Sequence, residues 1–218
     1  TEKTLFQAAS ISKSLNGVGV LKLVQDGKLD LHTDINQYLK SWKFPYDSVS
    51  GGRPVTLAAL LSHSAGLTIH GFPGYAMGDS IPSVQQILDG QKPANTGAVR
   101  SFMKPDSSVV YSGGGTTITQ LIVTDVTGLP YDEYMQKNVL DPMGMKSSTY
   151  KQPPVGTDTT LLATGYKADG TPVKGKYHIY PEQAPAGLWT SPTDLCRNII
   201  ETALSYNGKS GKVITPEF

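Results

Sequence analysis

Helical periodicity, interrupted by glycine and proline, is the feature that most constrains the fold of this sequence. Apolar residues recur every three or four positions in several segments, and most of these segments end at a glycine or before a proline, where helices commonly stop. The pattern predicts five or six helices, in the segments 10–26, 56–62, 83–90, 116–127, 130–139 and 191–207. Strand patterns are scarce, and the plainest is a hairpin that turns at Asp169-Gly170. A chain of 218 residues with this pattern forms one helix-rich domain, or two closely joined subdomains.

Composition excludes several classes of function. Hydrophobic residues make up 38% of the chain and charged residues 17%, which is typical of a globular protein and not of a disordered one. The net charge is +1 and no basic run occurs, so we expect neither nucleic acid nor an anionic membrane surface as a partner. No apolar stretch approaches the roughly 20 residues that a membrane-spanning helix needs.

The cysteine and histidine content argues against a disulfide framework and a metal site. Cys196 is the single cysteine, and because it lies in an apolar helical stretch we expect it to be a small buried hydrophobe. The histidines lack the spacing of metal ligands, so we predict neither a zinc site nor any other cofactor. They are His32, His63, His70 and His178.

A Ser-x-x-Lys pattern places a hydroxyl and an amine one turn apart on a helix. A partly desolvated lysine can be neutral and can take the proton of the serine, which makes that serine a nucleophile. The pattern occurs three times, at Ser10–Lys13, Ser101–Lys104 and Ser148–Lys151. Prolines closely follow the second and third pairs, so neither can open a long helix. Only Ser10 and Lys13 begin one.

Local pattern alone leaves the roles of Ser10 and Tyr111 open. Ser10 could equally be an ordinary helix cap. Tyr111 stands where an extended segment meets the glycines of residues 113–115, a place from which a side chain can project. It could relay a proton or hold the serine and lysine in register by hydrogen bonds. Alternatively, it is a half-buried core residue like others of the eleven tyrosines.

Five segments in order resemble the serine β-lactamase and penicillin-binding-protein superfamily. They are FQAASISKS (6–14), LLSHSAGL (60–67), VYSGGG (110–115), PMGM (142–145) and AGLWTS (186–191). The first resembles the active-serine box of that superfamily. Together they are most similar to the branch that contains class C β-lactamases, D-alanyl-D-alanine carboxypeptidases and β-lactamase-like esterases.

The resemblance implies roles for particular residues. Ser10 would be the nucleophile, Lys13 its base and Tyr111 the second acid/base group. His63 would be structural, because the family uses no Ser-His-Asp triad. The implied function is a serine acyl-hydrolase that works through an acyl-enzyme on a β-lactam, a D-Ala-D-Ala-type peptide or a small ester. The alternative is a catalytically silent, penicillin-binding-like protein or fragment with a binding role.

The implied fold is α+β and β-lactamase/transpeptidase-like, with this chain mostly its helical subdomain and much of the antiparallel sheet missing. Residues 1–218 would be a partial catalytic domain, with a nucleophile helix at 10–26 and the helical subdomain over about 27–218. We expect a segment of a longer enzyme whose helices expose an apolar face, which a complementing segment or a partner chain would cover. The resemblance favours a periplasmic or secreted protein and leaves a cytoplasmic one possible.

Two positions depart from the family pattern. Gly113 replaces an asparagine that in many β-lactamases helps to hold the substrate amide. It is therefore a weak substrate-binding candidate, and it favours an esterase or peptidase branch. The family's third motif, Lys-Thr-Gly or an equivalent, lies on a strand beside the serine and supplies one N–H of the oxyanion hole. Residues 209–211 (KSG) match it literally but follow a helix end at Asn207-Gly208, so we predict a loop there.

Overall fold

The computed structural model describes residues 1–218 as helices joined by long loops, with one small sheet. The α-helices are α1 (Ser12–Gln25), α2 (Leu57–Leu61), α3 (Val84–Asp89), α4 (Gly113–Thr127), α5 (Tyr131–Met135), α6 (Gln183–Ala186) and α7 (Pro192–Tyr206). The 3₁₀ turns are Ala9–Ile11, Ile35–Gln37, Ser48–Ser50 and Thr159–Leu161, and a π turn, Gln136–Leu140, follows α5. Strands β1 (Phe6–Gln7) and β2 (Trp189–Thr190) pair antiparallel. None of the helices combines the length and the apolar character that a membrane span requires.

The predicted helix at 10–26 is present, with a 3₁₀ turn as its first turn. It stops at Gly27, which adopts φ +68°, a left-handed conformation that favours glycine. The two glycines inside α1 differ in their surroundings. A Cβ on Gly19 would lie 2.6 Å from Sδ of Met135, whereas one on Gly17 would meet nothing within 4 Å. Of these two glycines, only Gly19 is therefore closely packed against a neighbouring element.

Helix α4 passes through the centre of the molecule and is buried from Gly113 to Val123. It begins three residues earlier than predicted, because glycines form its first turn. A Cβ on Gly114 would lie 2.8 Å from both the Thr68 carbonyl oxygen and Cγ2 of Val99. The low helix propensity of glycine is thus outweighed by the close approach that it permits.

Buried polar contacts join α4 to its neighbours. Asn16 on α1 donates from Nδ2 to Oγ1 of Thr119 on α4 at 2.9 Å, and its Oδ1 accepts from the Tyr131 hydroxyl at 3.0 Å. These contacts lie inside an apolar cluster of 32 buried residues. Because buried polar groups without partners are costly, this network fixes how α1, α4 and α5 pack together.

Local side-chain contacts define two helix starts and one hairpin. Ser83 and Gln86 form a capping box at the start of α3, and Thr56 caps α2 by accepting from the Ala59 N–H. The hairpin is also present: the Lys167 N–H donates to the carbonyl of Thr171 at 2.8 Å, across the predicted turn. Short-range side-chain chemistry accounts for all three features.

Helix α7 has its polar side buried and its apolar side exposed. Its buried residues are Asp194, Asn198, Glu201 and Ser205. Ile199 and Ile200 are 65% and 58% exposed, so the apolar helical face expected from the sequence is present here. The prediction that Cys196 is buried is wrong, because this cysteine lies on the outward side of the helix. The buried carboxylates are satisfied: Asp194, for example, accepts from the Ser147 N–H and the Ser148 hydroxyl, each at 2.9 Å.

Candidate active site

Ser10 lies at the surface in the 3₁₀ turn that leads into α1. The residue before it, Ala9, has φ +44°, an uncommon conformation for a residue other than glycine. Ser10 does not cap the helix, because neither the turn nor α1 has a side-chain cap. Its Oγ instead accepts a hydrogen bond from Nζ of Lys13 at 3.1 Å. The one-turn spacing therefore produces the contact that the sequence suggests.

Lys13 is partly buried, and its Nζ also donates to the carbonyl of Pro185 at 2.9 Å. The same Nζ lies 4.8 Å from the ring centroid of Tyr111. Burial lowers the pKa of Lys13, and this effect exceeds the opposing hydrogen bond and charge interaction with Tyr111. A lowered pKa increases the neutral fraction of the amine and makes Lys13 a better base near neutral pH.

Tyr111 is 42% exposed and lies beside this pair rather than in the core. Burial acts to raise the pKa of its phenol. Hydrogen bonding to Lys13 and to Ser10, together with the charge of Lys13, outweighs that effect and lowers the pKa. The structure thus brings together the three residues that the sequence nominates, with their functional groups facing one another.

The carbonyl of Pro185 is held in place by contacts from α4 and α1. The Gln120 side chain donates to the Pro181 carbonyl and accepts from the Ala184 N–H, both at 2.9 Å. Just beyond α6, the Leu188 N–H donates to Oγ of Ser12 at 3.0 Å. The sequence did not identify Pro185, although the AGLWTS segment begins one residue after it.

Two further candidates from the sequence, Gly113 and residues 209–211, contribute no side chain to this site. Gly113 is buried in the first turn of α4, and a Cβ there would lie 3.0 Å from Cε2 of Phe72. Residues 209–211 (KSG) form a loop, as predicted, and Gly211 lies beside Thr215. The Thr215 N–H donates to the side chain of Gln25, at the far end of α1. At 1.5 Å per residue that end is roughly 20 Å from Ser10.

Neither rival serine resembles Ser10. Ser148 is buried, and its hydroxyl lies 2.9 Å from a carboxylate oxygen of Asp194 and 2.7 Å from the Thr190 hydroxyl. Ser101 is also buried, and no helix begins at either residue. No group of three or more His, Cys, Asp or Glu side chains converges anywhere in the chain.

A buried carboxyl lies at the start of the α6 segment. Glu182 is fully buried, and neither of its carboxyl oxygens has a hydrogen-bond partner. Burial raises its pKa to about 7. The charge of Glu182 in turn raises the pKa values of Tyr75 and Tyr180, for which burial is the larger cause. Glu182 lies three residues before Pro185, whose carbonyl accepts the hydrogen bond from Lys13.

Comparison with known sequences identifies a family and several relatives. The Beta-lactamase family profile matches residues 1–213. Protein flp of Staphylococcus aureus (strain N315) is 27% identical over 197 residues, which cover 87% of this chain and 35% of that protein. A putative D-alanyl-D-alanine carboxypeptidase of Salmonella heidelberg (strain SL476) is 23% identical over 155 residues, or 69% of this chain and 35% of the relative. The chain thus spans about a third of the length of these relatives.

Solved structures show the same fold. The D-amino acid amidase of Ochrobactrum anthropi SV3, complexed with L-phenylalanine amide, superimposes with a TM-score of 0.74 at 25% identity, over 100% of this chain and 59% of that chain. The octameric penicillin-binding protein homologue of Pyrococcus abyssi gives a TM-score of 0.69 at 24% identity, over 100% and 48%. These matches confirm the predicted fold class, a partial β-lactamase-like α+β fold.

Proposed function

Because this chain belongs to the Beta-lactamase family, we propose that it carries the nucleophile of a serine acyl-hydrolase and that Ser10 forms the acyl-enzyme. One observation supports the proposal above all. Nζ of Lys13 lies 3.1 Å from Oγ of Ser10, and burial lowers the pKa of that lysine. A serine hydroxyl is a weak nucleophile until a neighbouring base accepts its proton, and this pair supplies the base.

In the proposed reaction, neutral Lys13 accepts the proton of Ser10 while Oγ attacks the carbonyl carbon of the substrate. The tetrahedral intermediate collapses when the bond to the leaving group breaks, and Tyr111 transfers a proton to that group. The product of this half-reaction is an ester on Ser10. Water then attacks the ester and gives up a proton to the Tyr111 phenolate. The bond to Oγ breaks, Lys13 returns its proton to Oγ, and the acid leaves, so that the serine, the neutral lysine and the phenol are all regenerated.

We propose esters or D-amino-acid peptides as substrates ahead of β-lactams. Gly113 supports this preference, because it offers no amide to a substrate and Phe72 fills the space that a side chain there would need. The relatives point the same way: one is named as a putative D-alanyl-D-alanine carboxypeptidase and one solved neighbour as a D-amino acid amidase.

Covalent labelling tests the nucleophile directly. We expect a fluorophosphonate to add one adduct to the protein, and peptide mapping by mass spectrometry to place it on Ser10. Ser10→Ala should abolish the adduct. Ser101→Ala is the matched control, because it removes the serine of a second Ser-x-x-Lys pair and should leave labelling intact. An adduct that persists in Ser10→Ala, or none in the unaltered protein, would contradict the proposal. Relative turnover of p-nitrophenyl butyrate and nitrocefin would then separate esterase from β-lactamase.

A catalytically silent binding protein is the second candidate. The position of residues 209–211 favours it, because that literal match to the third motif lies near the far end of α1 and not beside Ser10. In that case a labelled penicillin would bind reversibly without forming an adduct. Equilibrium binding measured beside mass spectrometry distinguishes the two candidates.

A further inference from the structure

Two histidines contact opposite sides of one peptide group next to the candidate site. The carbonyl of Tyr111 accepts from Nδ1 of His70 at 2.5 Å, and the N–H of Ser112 donates to Nδ1 of His63 at 3.3 Å. This carbonyl and this N–H belong to the single peptide group that joins Tyr111 to Ser112. We call this arrangement the histidine clamp.

The chemistry of the peptide group determines the protonation of both rings. A carbonyl oxygen can only accept, so Nδ1 of His70 must carry a proton. An N–H can only donate, so Nδ1 of His63 must be bare, and its proton must be on Nε2. The clamp therefore requires a neutral His63 whose proton is on Nε2, and a His70 that carries a proton on Nδ1.

The surroundings of His63 favour this neutral state. Its ring centroid lies 4.5 Å from that of Tyr111, and its carbonyl accepts from the Val110 N–H at 2.8 Å. Burial lowers the pKa of His63, and the charge of Lys13 lowers it further. The titratable groups that face this ring are Lys13 and Tyr111. Asp106, in the segment between α3 and α4, accepts a hydrogen bond from the hydroxyl of Ser64, the residue after His63, at 2.8 Å.

We propose that His63 and His70 are positioning residues that hold the Tyr111 phenol against Ser10 and Lys13. The inference rests on the proposed function of Ser10. Tyr111 belongs to a loop and its side chain is partly exposed. The contacts that its ring makes would therefore not be enough to fix the direction of the side chain. Anchoring the following peptide at both its carbonyl and its N–H removes the backbone rotation that would move the phenol. Such placement matters, because a shift of about 1 Å can cost about 100-fold in rate.

Two substitutions at His63 distinguish the contribution of its hydrogen bond from the contribution of its ring. His63 has φ +59°, a conformation in which asparagine is well tolerated, and the asparagine Oδ1 can replace Nδ1 as the acceptor. His63→Phe keeps a ring but loses the acceptor. We expect His63→Phe to slow fluorophosphonate labelling of Ser10 by about 10- to 100-fold, and His63→Asn to remain within about threefold of the unaltered protein.

A double-mutant cycle tests whether the effect passes through the tyrosine hydroxyl. In a Tyr111→Phe background the additional loss from His63→Phe should shrink to less than about threefold, because both changes remove the same function. Thermal unfolding of each variant reports any purely structural damage. An unchanged labelling rate in His63→Phe, or an equal loss in both backgrounds, would overturn the proposal.

Nitrogen NMR of the imidazoles gives a readout that does not require activity. At pH 7.5 we expect Nδ1 of His63 to be bare and Nδ1 of His70 to carry a proton, with signals assigned from the His63→Asn and His70→Asn variants. The same tautomer in both rings, or a protonated Nδ1 on His63, would refute the clamp. If the protein gives no adduct on Ser10 while the tautomers are as expected, the proposed function fails and the clamp geometry stands.

Discussion

Replacing Glu182 by glutamine should stabilise the protein at alkaline pH and leave its stability nearly unchanged near pH 5. The carboxyl is fully buried without a hydrogen-bond partner, and its burial raises the pKa from 4.5 to about 7. The folded protein therefore binds this proton more tightly than the unfolded chain does. The free energy of unfolding must then fall as pH rises from about 4.5 to about 7, and the full loss is present above that range.

The size of the effect follows from the two pKa values. One pKa unit corresponds to 1.36 kcal/mol, so the difference between 4.5 and about 7 amounts to about 3 kcal/mol. Glutamine is nearly isosteric with a protonated glutamate but cannot ionise. Glu182→Gln should thus recover up to about 3 kcal/mol at pH 8.5 and change stability by less than about 1 kcal/mol at pH 5.

Urea unfolding at pH 5 and pH 8.5 measures this difference. Glu133→Gln is the control, because Glu133 is an exposed residue of α5 that undergoes the same chemical change. We expect the two pH values to give the same difference between Glu133→Gln and the unaltered protein. If Glu182→Gln also shifts the unfolding free energy equally at both pH values, or destabilises only at pH 8.5, the argument from burial is wrong.

Two other predictions concern packing and the apolar face. Gly19→Ala should destabilise the protein by about 1–3 kcal/mol in urea unfolding, because its Cβ would meet Met135, whereas Gly17→Ala in the same helix should be neutral or stabilising by up to about 1 kcal/mol. We also propose that a further segment or a partner chain covers α7. The double variant Ile199→Lys and Ile200→Lys should then lower the thermal midpoint of the complete protein, and an unchanged midpoint would argue that this face stays exposed.

Features that depend on neighbours in the sequence were predictable. The capping box of α3 and the contact between Ser10 and Lys13 follow from spacing along a helix, which a short window of sequence contains. The start of α4 was predicted three residues too late. Gly114 favours the helix only because it allows a close approach to a loop that is distant in the sequence. Cys196 was predicted to be buried for a related reason. The apolar side of α7 faces outward while hydrogen bonds satisfy its buried carboxylates, and the periodicity of the sequence is the same in either orientation.

The long-range parts of the candidate site could not be found by spacing. Pro185 contacts Lys13 across 172 positions, and the carbonyl that it contributes belongs to the backbone, which leaves no trace in residue type. The histidine clamp likewise acts on a peptide group, so residue type does not reveal it either. A sequence motif can therefore name the reacting side chains, whereas the groups that orient them emerge only when the chain is folded.

The Pro185 carbonyl has a consequence for how Lys13 can act as a base. A charged amine has three N–H donors and no lone pair. Two donors of Lys13 go to Ser10 and to Pro185, and the third is left for the phenol of Tyr111, whose ring centroid lies 4.8 Å from Nζ. A neutral amine has two donors and one lone pair. If the carbonyl and the phenol oxygen each take one donor, the remaining lone pair must face Oγ of Ser10, and the hydroxyl proton then points toward nitrogen. The contacts that hold the lysine in place thus also direct its lone pair at the proton that it has to remove.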